Sequence, residues 1–144
     1  MKYQLLLPFL LLSTGLFAQA KNDSKIIVVP ADTVNLFDKL ITLLYKEGYT
    51  VKTEDKTRGV LITEERTLNA YYNPKVRLRL FMGSTVTITG EVDANVDFST
   101  GFAKLKSAFE PIVFKGMKGS ILRNAWNEMD RMAKLIGEQR SYNK

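Results

Sequence analysis

The segment from Val76 to Val92 alternates apolar and polar residues more regularly than any other part of the chain. Apolar residues fall at even-numbered positions on each side of a central Met82-Gly83 turn: Val76, Leu78, Leu80, Val86, Ile88 and Val92. This spacing predicts two strands joined as a β-hairpin. Because successive side chains of a strand point to opposite faces, one face of the hairpin should be buried and the other should meet water.

A second hairpin is predicted just before the first. Residues alternate from Tyr49 to Glu54, and a shorter run from Val60 to Thr63 follows the turn that ends at Gly59. The polar segment that follows ends in Asn73-Pro74, and we expect it to be a loop or a twisted extension of a strand.

Near the start of the chain, the apolar run Ile26–Val29 is rich in β-branched residues and stops at Pro30, which favours a further strand. Residues 93–119 fit neither the strand nor the helix period. We expect them to form a long loop that packs its aromatic side chains on the core, and Pro111 excludes a helix there.

Two amphipathic helices are predicted. The first should begin at an N-cap on Asp32 or Thr33 and end at Gly48, and the second should run from an N-cap at Ser120 to near Gly137. Each carries apolar residues on one stripe: Leu36, Phe37, Leu40, Ile41 and Leu44 in the first, and Ile121, Leu122, Ala125, Trp126, Met129, Met132, Ala133 and Ile136 in the second.

The predicted fold is therefore α+β: a single antiparallel sheet of four to five strands with two helices packed on one face, in the order β-α-β-β-β-β-α. Leu40, Ile88 and Trp126 should meet in one core cluster. The opposite face should stay open to water, and we expect it to carry Thr50, Lys52, Thr63, Arg77, Arg79, Thr85, Thr87 and Thr89.

The first twenty residues have the features of a signal peptide. Lys2 supplies a positive start, an apolar stretch covers Leu5–Leu12, and Ala18-Gln19-Ala20 has the small residues of a cleavage site. A retained anchor is the alternative, but the apolar stretch is shorter than the about 20 residues that a membrane span needs. We expect residues 1–20 to be removed, 21–25 to be a linker, and 26–140 to form one domain in the periplasm or outside the cell.

Missing residue types exclude several chemistries. The chain has no cysteine, so it can carry neither a disulfide nor a lipid on a cleavage-site cysteine. It has no histidine, which excludes His-based triads and the usual zinc sites. No glycine-rich phosphate loop is present. Acid–base catalysis by carboxylates stays open, but we expect no catalytic residue, no cofactor and no metal site.

One acidic pattern has the spacing of a calcium site. Glu91, Asp93, Asn95 and Asp97 occur at every second position, as oxygen ligands do in calcium loops. The turn glycine of such loops is missing, and Phe98 stands in its place. A strand end with polar outward residues explains the pattern better.

A basic row suggests where a partner could bind. Lys75, Arg77 and Arg79 share one strand face near Tyr71 and Tyr72. Removing Lys2 lowers the basic count from 21 to 20 against 15 acidic residues, so the exported chain has a net charge of +5. The candidate partner surface comprises Lys52, Arg77, Arg79, Thr85, Thr87 and Thr89.

The expected partner of this surface is an envelope protein or an anionic envelope component. Export argues against nucleic acid as the partner. The sequence has no second apolar segment of spanning length, so we expect no transmembrane anchor in the exported chain. The alternative is a merely solvated face. Four lysines further along form a second basic cluster: Lys104, Lys106, Lys115 and Lys118.

The unit from Asp32 to Val92, with a closing helix that contains Trp126, resembles small envelope domains with a TBP-like or helix-grip fold. These include the repeats of the outer-membrane-assembly lipoprotein BamC and several uncharacterised secreted domains. The string from Lys115 to Ser120 is similar to uncharacterised secreted proteins of Gram-negative bacteria. This chain differs from the lipoproteins in lacking the lipidated cysteine, and the resemblance implies no catalytic residue.

Pattern and resemblance together suggest a non-enzymatic binding or accessory module of the bacterial cell envelope. The alternative is a carrier of a small apolar ligand held between the helices and the sheet, where helix-grip folds can open a cavity.

Overall fold

The computed structural model describes residues 22–94, 98–100, 103–105 and 108–144, with the backbone alone for 98–100 and 103–105. The described residues contain the following elements in chain order: β1 (Lys25–Val28), α1 (Leu36–Lys46), β2 (Val51–Asp55), β3 (Val60–Thr63), β4 (Arg66–Thr67), β5 (Lys75–Met82), β6 (Val86–Asp93), β7 (Phe98–Thr100), β8 (Ala103–Leu105), β9 (Glu110–Pro111), α2 (Ile121–Ile136) and β10 (Arg140–Asn143).

Eight of these strands form one antiparallel sheet with the path β10-β1-β6-β5-β3-β2. β4 pairs with β5 beyond the end of β3, and β9 pairs with β6 beyond the end of β1. β7 and β8 pair only with each other. The expected α+β class, single antiparallel sheet and two helices are confirmed, but the expected count of four to five strands is wrong.

The missed strands are too short or too polar to show an alternating pattern. β4 and β9 have two residues each, and β10 reads Arg-Ser-Tyr-Asn. β10 extends the folded unit to Asn143, beyond the expected boundary at residue 140, because it pairs with β1 along its whole length. Such strands exist because a neighbouring strand offers hydrogen-bonding groups, which sequence alternation cannot reveal.

The start of α1 also differs from expectation. The helix begins at Leu36, after a left-handed Asn35 that makes no side-chain cap, so neither Asp32 nor Thr33 is the N-cap. The Asp32 carboxylate instead accepts a hydrogen bond from the Val34 N–H at 2.8 Å and pairs with Lys39. Asp residues favour such local turns as readily as helix caps, which is why the pattern alone misplaces the helix start.

The other helix ends match the predictions. Gly48 has φ of 81° at the end of α1, and the chain folds back so that the Tyr49 N–H donates to the Leu44 carbonyl. Ser120 caps α2 by accepting a hydrogen bond from the Arg123 N–H.

The core lies between one face of the sheet and the two helices. Leu40, Ile88 and Trp126 belong to the same buried cluster, as predicted. Trp126 is 1% exposed and makes edge-on contact with Phe114, with ring centroids 5.5 Å apart. Helix α2 packs on β1 and β6, while α1 packs near β2. Both helices therefore cover the same face of the sheet.

Thr63 does not lie on the open face, contrary to the prediction. It is 1% exposed, and its hydroxyl accepts a hydrogen bond from the Leu78 N–H at 2.9 Å. Its neighbour Leu61 lies opposite Leu80 and is buried with it. All four residues of β3 could face an apolar core, so only the register with β5 decides which pair does.

Among residues 93–119, the described ones form short strands where the sequence predicts a loop. They contain β7, β8 and β9. Docking of aromatic residues is confirmed for Phe114, which packs against the core. Within the described part of the chain, no helix is long and apolar enough to cross a membrane. The expected signal peptide, its cleavage site and the first linker residue lie outside the described residues.

Candidate binding surface on the open sheet face

The face of the sheet that points away from the helices carries most of the predicted partner surface. Arg77 and Arg79 alternate with the buried Leu78 and Leu80 on β5. Across the strand pair, Arg79 lies opposite Thr89. Thr85 and Thr87 share the parity of Thr89 on the β6 side and are half-buried like it. We call this surface the open face.

Lys52 reaches the open face through an irregularity in β2. The register between β2 and β3 shifts between Val51 and Thr53, so Lys52 lies at a bulge. It lines a groove of about 300 Å³ together with Arg77, Arg79 and the carboxylates of Glu64 and Glu65. The structure therefore brings the predicted basic residues to one groove at the β2–β3–β5 side of the open face.

The two arginines are not free guanidinium groups. Glu91 on β6 lies opposite Arg77 and forms ion pairs with both Arg77 and Arg79, the latter at 3.3 Å. Arg77 also stacks over the Phe109 ring, with its guanidinium carbon 4.1 Å from the ring centroid. One carboxylate thus balances part of the charge that the sequence assigned to this surface.

Sequence reasoning missed this role of Glu91, although the signal was present. Counting outward from the Met82-Gly83 turn places Glu91 across from Arg77 on the same face, where opposite charges attract. In the calcium hypothesis Glu91 was instead a candidate ligand. Asn95 and Asp97 lie outside the described residues, and no group of three acidic residues able to hold a metal occurs among the described ones.

The other half of the open face is more apolar. A shallow groove of about 470 Å³ runs beside Thr85 and is lined by Ile27, Val29, Arg140 and Ser141. Phe81, opposite Thr87 in the sheet, is also exposed. The open face therefore combines a charged end with a more apolar end.

A polar cluster on the helix side was not anticipated from the sequence. The Glu128 carboxylate of α2 accepts hydrogen bonds from Tyr49, Arg66 and Arg131 at 2.7 to 2.9 Å. Arg131 also donates to Glu47 at 2.7 Å, which ties α2 to the end of α1. These residues come from three separate segments, and Glu128 with Arg131, three residues apart on α2, is the one pair among them that helix spacing connects.

The contacts within this cluster and its burial shift the pKa values of Tyr49 and Glu128. Burial raises the pKa of the Tyr49 hydroxyl well above its ordinary value, and the Glu128 charge adds to this shift. Burial alone would raise the pKa of the Glu128 carboxyl, but hydrogen bonds from Arg131 and Tyr49 hold it below 4.5. Glu128 is therefore ionised at neutral pH and joins the helices to β4.

The layer between helices and sheet is filled by side chains. Leu44, Tyr49, Leu78, Met129 and Met132 occupy it at 0–1% exposure. The grooves described here lie on the surface rather than in this layer. An apolar ligand would have to displace packed residues to enter, which is costly in a close-packed interior.

The second basic cluster is only partly described. Lys115 and Lys118 are exposed and flank Met117 in the turn before α2. The Lys104 side chain and all of Lys106 lie outside the described atoms.

Comparison of the chain with models of known protein families gives no match, and comparison with curated protein sequences gives none either. The assignment of the candidate surface therefore depends only on the geometry of its residues.

Proposed function

We propose that this protein is a non-enzymatic binding or accessory module of the bacterial cell envelope, exported by its N-terminal signal peptide. In this proposal its open face holds an anionic envelope protein or another anionic envelope component. The supporting observation is the groove in which Lys52, Arg77 and Arg79 meet beside the carboxylates of Glu64 and Glu65, while Glu91 forms ion pairs with both arginines. A partner carboxylate or phosphate would compete with Glu91 for these guanidinium groups.

The resemblance to TBP-like envelope domains supports a role in the cell envelope, and the signal-peptide pattern supports export. Absence of histidine and cysteine supports a role in binding rather than in catalysis. The apolar end of the open face, with Ile27 and Phe81, would supply the buried contact area that charged groups alone do not provide.

Capture from envelope extract, with the exported chain as bait, tests the proposal. Substituting Arg77→Gln and Arg79→Gln together should reduce partner capture and its salt dependence, because both charges are lost. Glutamine is used because glutamate at these positions would face Glu91 and repel it. Lys39→Gln with Lys56→Gln is the matched control: it makes the same charge change at two ion-paired lysines outside the groove.

The variant Glu91→Gln gives the opposite test. It releases Arg77 and Arg79 from their internal partner, so capture of an anionic partner should become stronger. Equal capture by the wild type, the arginine double variant and Glu91→Gln would contradict the proposal. Lipid extraction of the purified protein tests the carrier alternative, since a carrier would retain a stoichiometric apolar ligand.

A further inference from the structure

The loop between β4 and β5 presents two adjacent tyrosines at the tip of a tight turn. The turn runs from Ala70 to Asn73 and is closed by a hydrogen bond from the Asn73 N–H to the Ala70 carbonyl at 2.8 Å. A second bond, from the Leu68 N–H to the Pro74 carbonyl, closes the loop at its base. Tyr71 and Tyr72 therefore occupy the two central positions of a hydrogen-bonded turn.

The backbone of this turn is strained. Tyr72 has φ of 68° and Asn73 has φ of 46°, so two consecutive residues adopt the left-handed conformation. Glycine is the usual residue at a central turn position with positive φ, because a side chain there costs conformational energy. Tyr72 adopts this conformation despite its large side chain, which indicates that the tyrosine ring has a role other than forming the turn.

Neither ring is used to build the core. Tyr71 is 73% exposed and Tyr72 is 52% exposed, and the two rings meet edge to face with centroids 4.2 Å apart. Together they form a small, pre-ordered aromatic platform. Exposed aromatic surface that contributes nothing to folding is typical of binding sites.

An open polar groove of about 390 Å³ begins at the same loop. Its walls include Asn69 and Ala70 from the loop and Asn124 and Asn127 from α2. The Asn69 and Asn127 side chains are exposed and have no hydrogen-bond partner within the described part of the chain. The groove therefore offers amide donors and acceptors next to the loop that carries the aromatic platform, whose Tyr71 follows Ala70 directly in the chain.

The charges at the base of this groove already satisfy one another. Arg66 and Arg131 are both bound to Glu128, and Arg131 is also bound to Glu47. Two cations thus meet two carboxylates, which leaves little attraction for an ion of either sign. A ligand for this groove should be uncharged, polar at its edge and apolar on a flat face.

We propose that the tyrosine platform and the groove form a binding site for a neutral oligosaccharide. A pyranose ring has an apolar face of C–H groups that can stack on tyrosine, and a rim of hydroxyl groups that can bond to asparagine amides. The site lies on the helix side of the sheet, so it goes beyond the function proposed for the open face.

A glycan array of neutral hexose and N-acetylhexosamine oligosaccharides, probed with the exported chain, should identify a ligand, and titration by calorimetry should then measure its affinity. Tyr71→Ala should weaken that affinity about tenfold, the loss expected for one stacking contact. Asn127→Ala should weaken it as well. Tyr45→Ala is the matched control, because Tyr45 is 53% exposed on α1 rather than on the loop between β4 and β5, and its loss should leave affinity unchanged.

Tyr72→Gly separates a binding role from a structural one. Glycine removes the ring but accepts the left-handed backbone without strain, so the variant should bind at least about tenfold more weakly. Its melting temperature should stay equal to that of the wild type or rise. A lower melting temperature would show that the tyrosine serves folding and would overturn the proposal.

Two other results would also overturn it: no array oligosaccharide bound by the wild type, or binding that survives loss of both tyrosines. Capture of a protein partner through Tyr71 and Tyr72, with no glycan bound, would assign the platform to a protein interface instead.

Discussion

Arg77 on β5 lies directly opposite Glu91 on β6, and the two side chains form an ion pair across the strands. Arg79 forms an ion pair with the same carboxylate. Both arginines of the open face are therefore already paired with Glu91 in the absence of a partner. The strand pair thus holds the arginines in a defined place without placing them in the core.

This ion pair should contribute little to stability. Glu91→Gln should lower the free energy of unfolding by less than about 1 kcal/mol, since partly exposed pairs are weak. The difference should shrink at high salt. Urea denaturation at two salt concentrations measures it, with the exposed Glu64→Gln as control. A loss of about 3 kcal/mol or more would show that the pair behaves as a buried one.

Export can be tested directly. The arrangement of Lys2, the apolar stretch and Ala18-Gln19-Ala20 predicts that the exported protein begins at Lys21. N-terminal sequencing of protein recovered from the periplasm or medium provides the measurement. Intact protein that begins with Met1 and stays in the cytoplasm would contradict the prediction.

Trp126 should be one of the main contributors to stability. It is buried among Phe114, Tyr142 and the sheet, so Trp126→Ala should lower the free energy of unfolding by about 3–5 kcal/mol. Leu135→Ala on the same helix is the control, because Leu135 is exposed and should change stability little. Chemical denaturation followed by far-UV circular dichroism measures both. Equal midpoints for the two variants would place Trp126 at the surface.

Thr63 tests the corrected orientation of β3. Thr63→Val keeps the shape of the side chain but leaves the buried Leu78 N–H without its acceptor, which should cost about 1–3 kcal/mol. Thr53→Val, at an exposed position of β2, should change stability far less. Thermal unfolding of both variants decides the matter. A neutral Thr63→Val would argue that the hydroxyl faces water, as the alternation first suggested.

The Glu128 cluster predicts an acid-sensitive stability. The pKa of Glu128 is lowered in the folded protein, so its contribution is present above its ordinary pKa of 4.5 and is lost as the pH falls through the folded value. Glu128→Gln should remove this part of the pH dependence. It should also cost about 1–3 kcal/mol at neutral pH, because Arg66 and Arg131 lose their shared acceptor.

Denaturant unfolding between pH 3 and pH 7, a range of about four units around that value, measures the effect. Glu138→Gln is the control, since Glu138 is exposed on the turn after α2. A Glu128→Gln variant with the same acid profile as the wild type would show that other carboxylates govern acid unfolding.

Local patterns were sufficient for the parts of the fold that have strong periodicity. The alternation on both sides of Met82-Gly83 predicted β5 and β6 with their buried faces, and the stripe around Trp126 predicted α2 with its Ser120 cap. These patterns are reliable because side-chain direction follows directly from backbone geometry within one element. The parity of β5 and β6 likewise placed Arg77, Arg79 and Thr89 on one face.

The sequence by itself thus determined the α+β class, the main hairpin, both helices and the shared face of Arg77 and Arg79. Only the tertiary structure decided the face on which Thr63 lies, the addition of β10 beside β1, the cluster around Glu128 and the pairing of Glu91 with both arginines. Each of these depends on register or contact between segments distant in the chain. Such contacts form because hydrogen-bonding groups and charges leave water only where another segment satisfies them, and no local pattern records which segment that is.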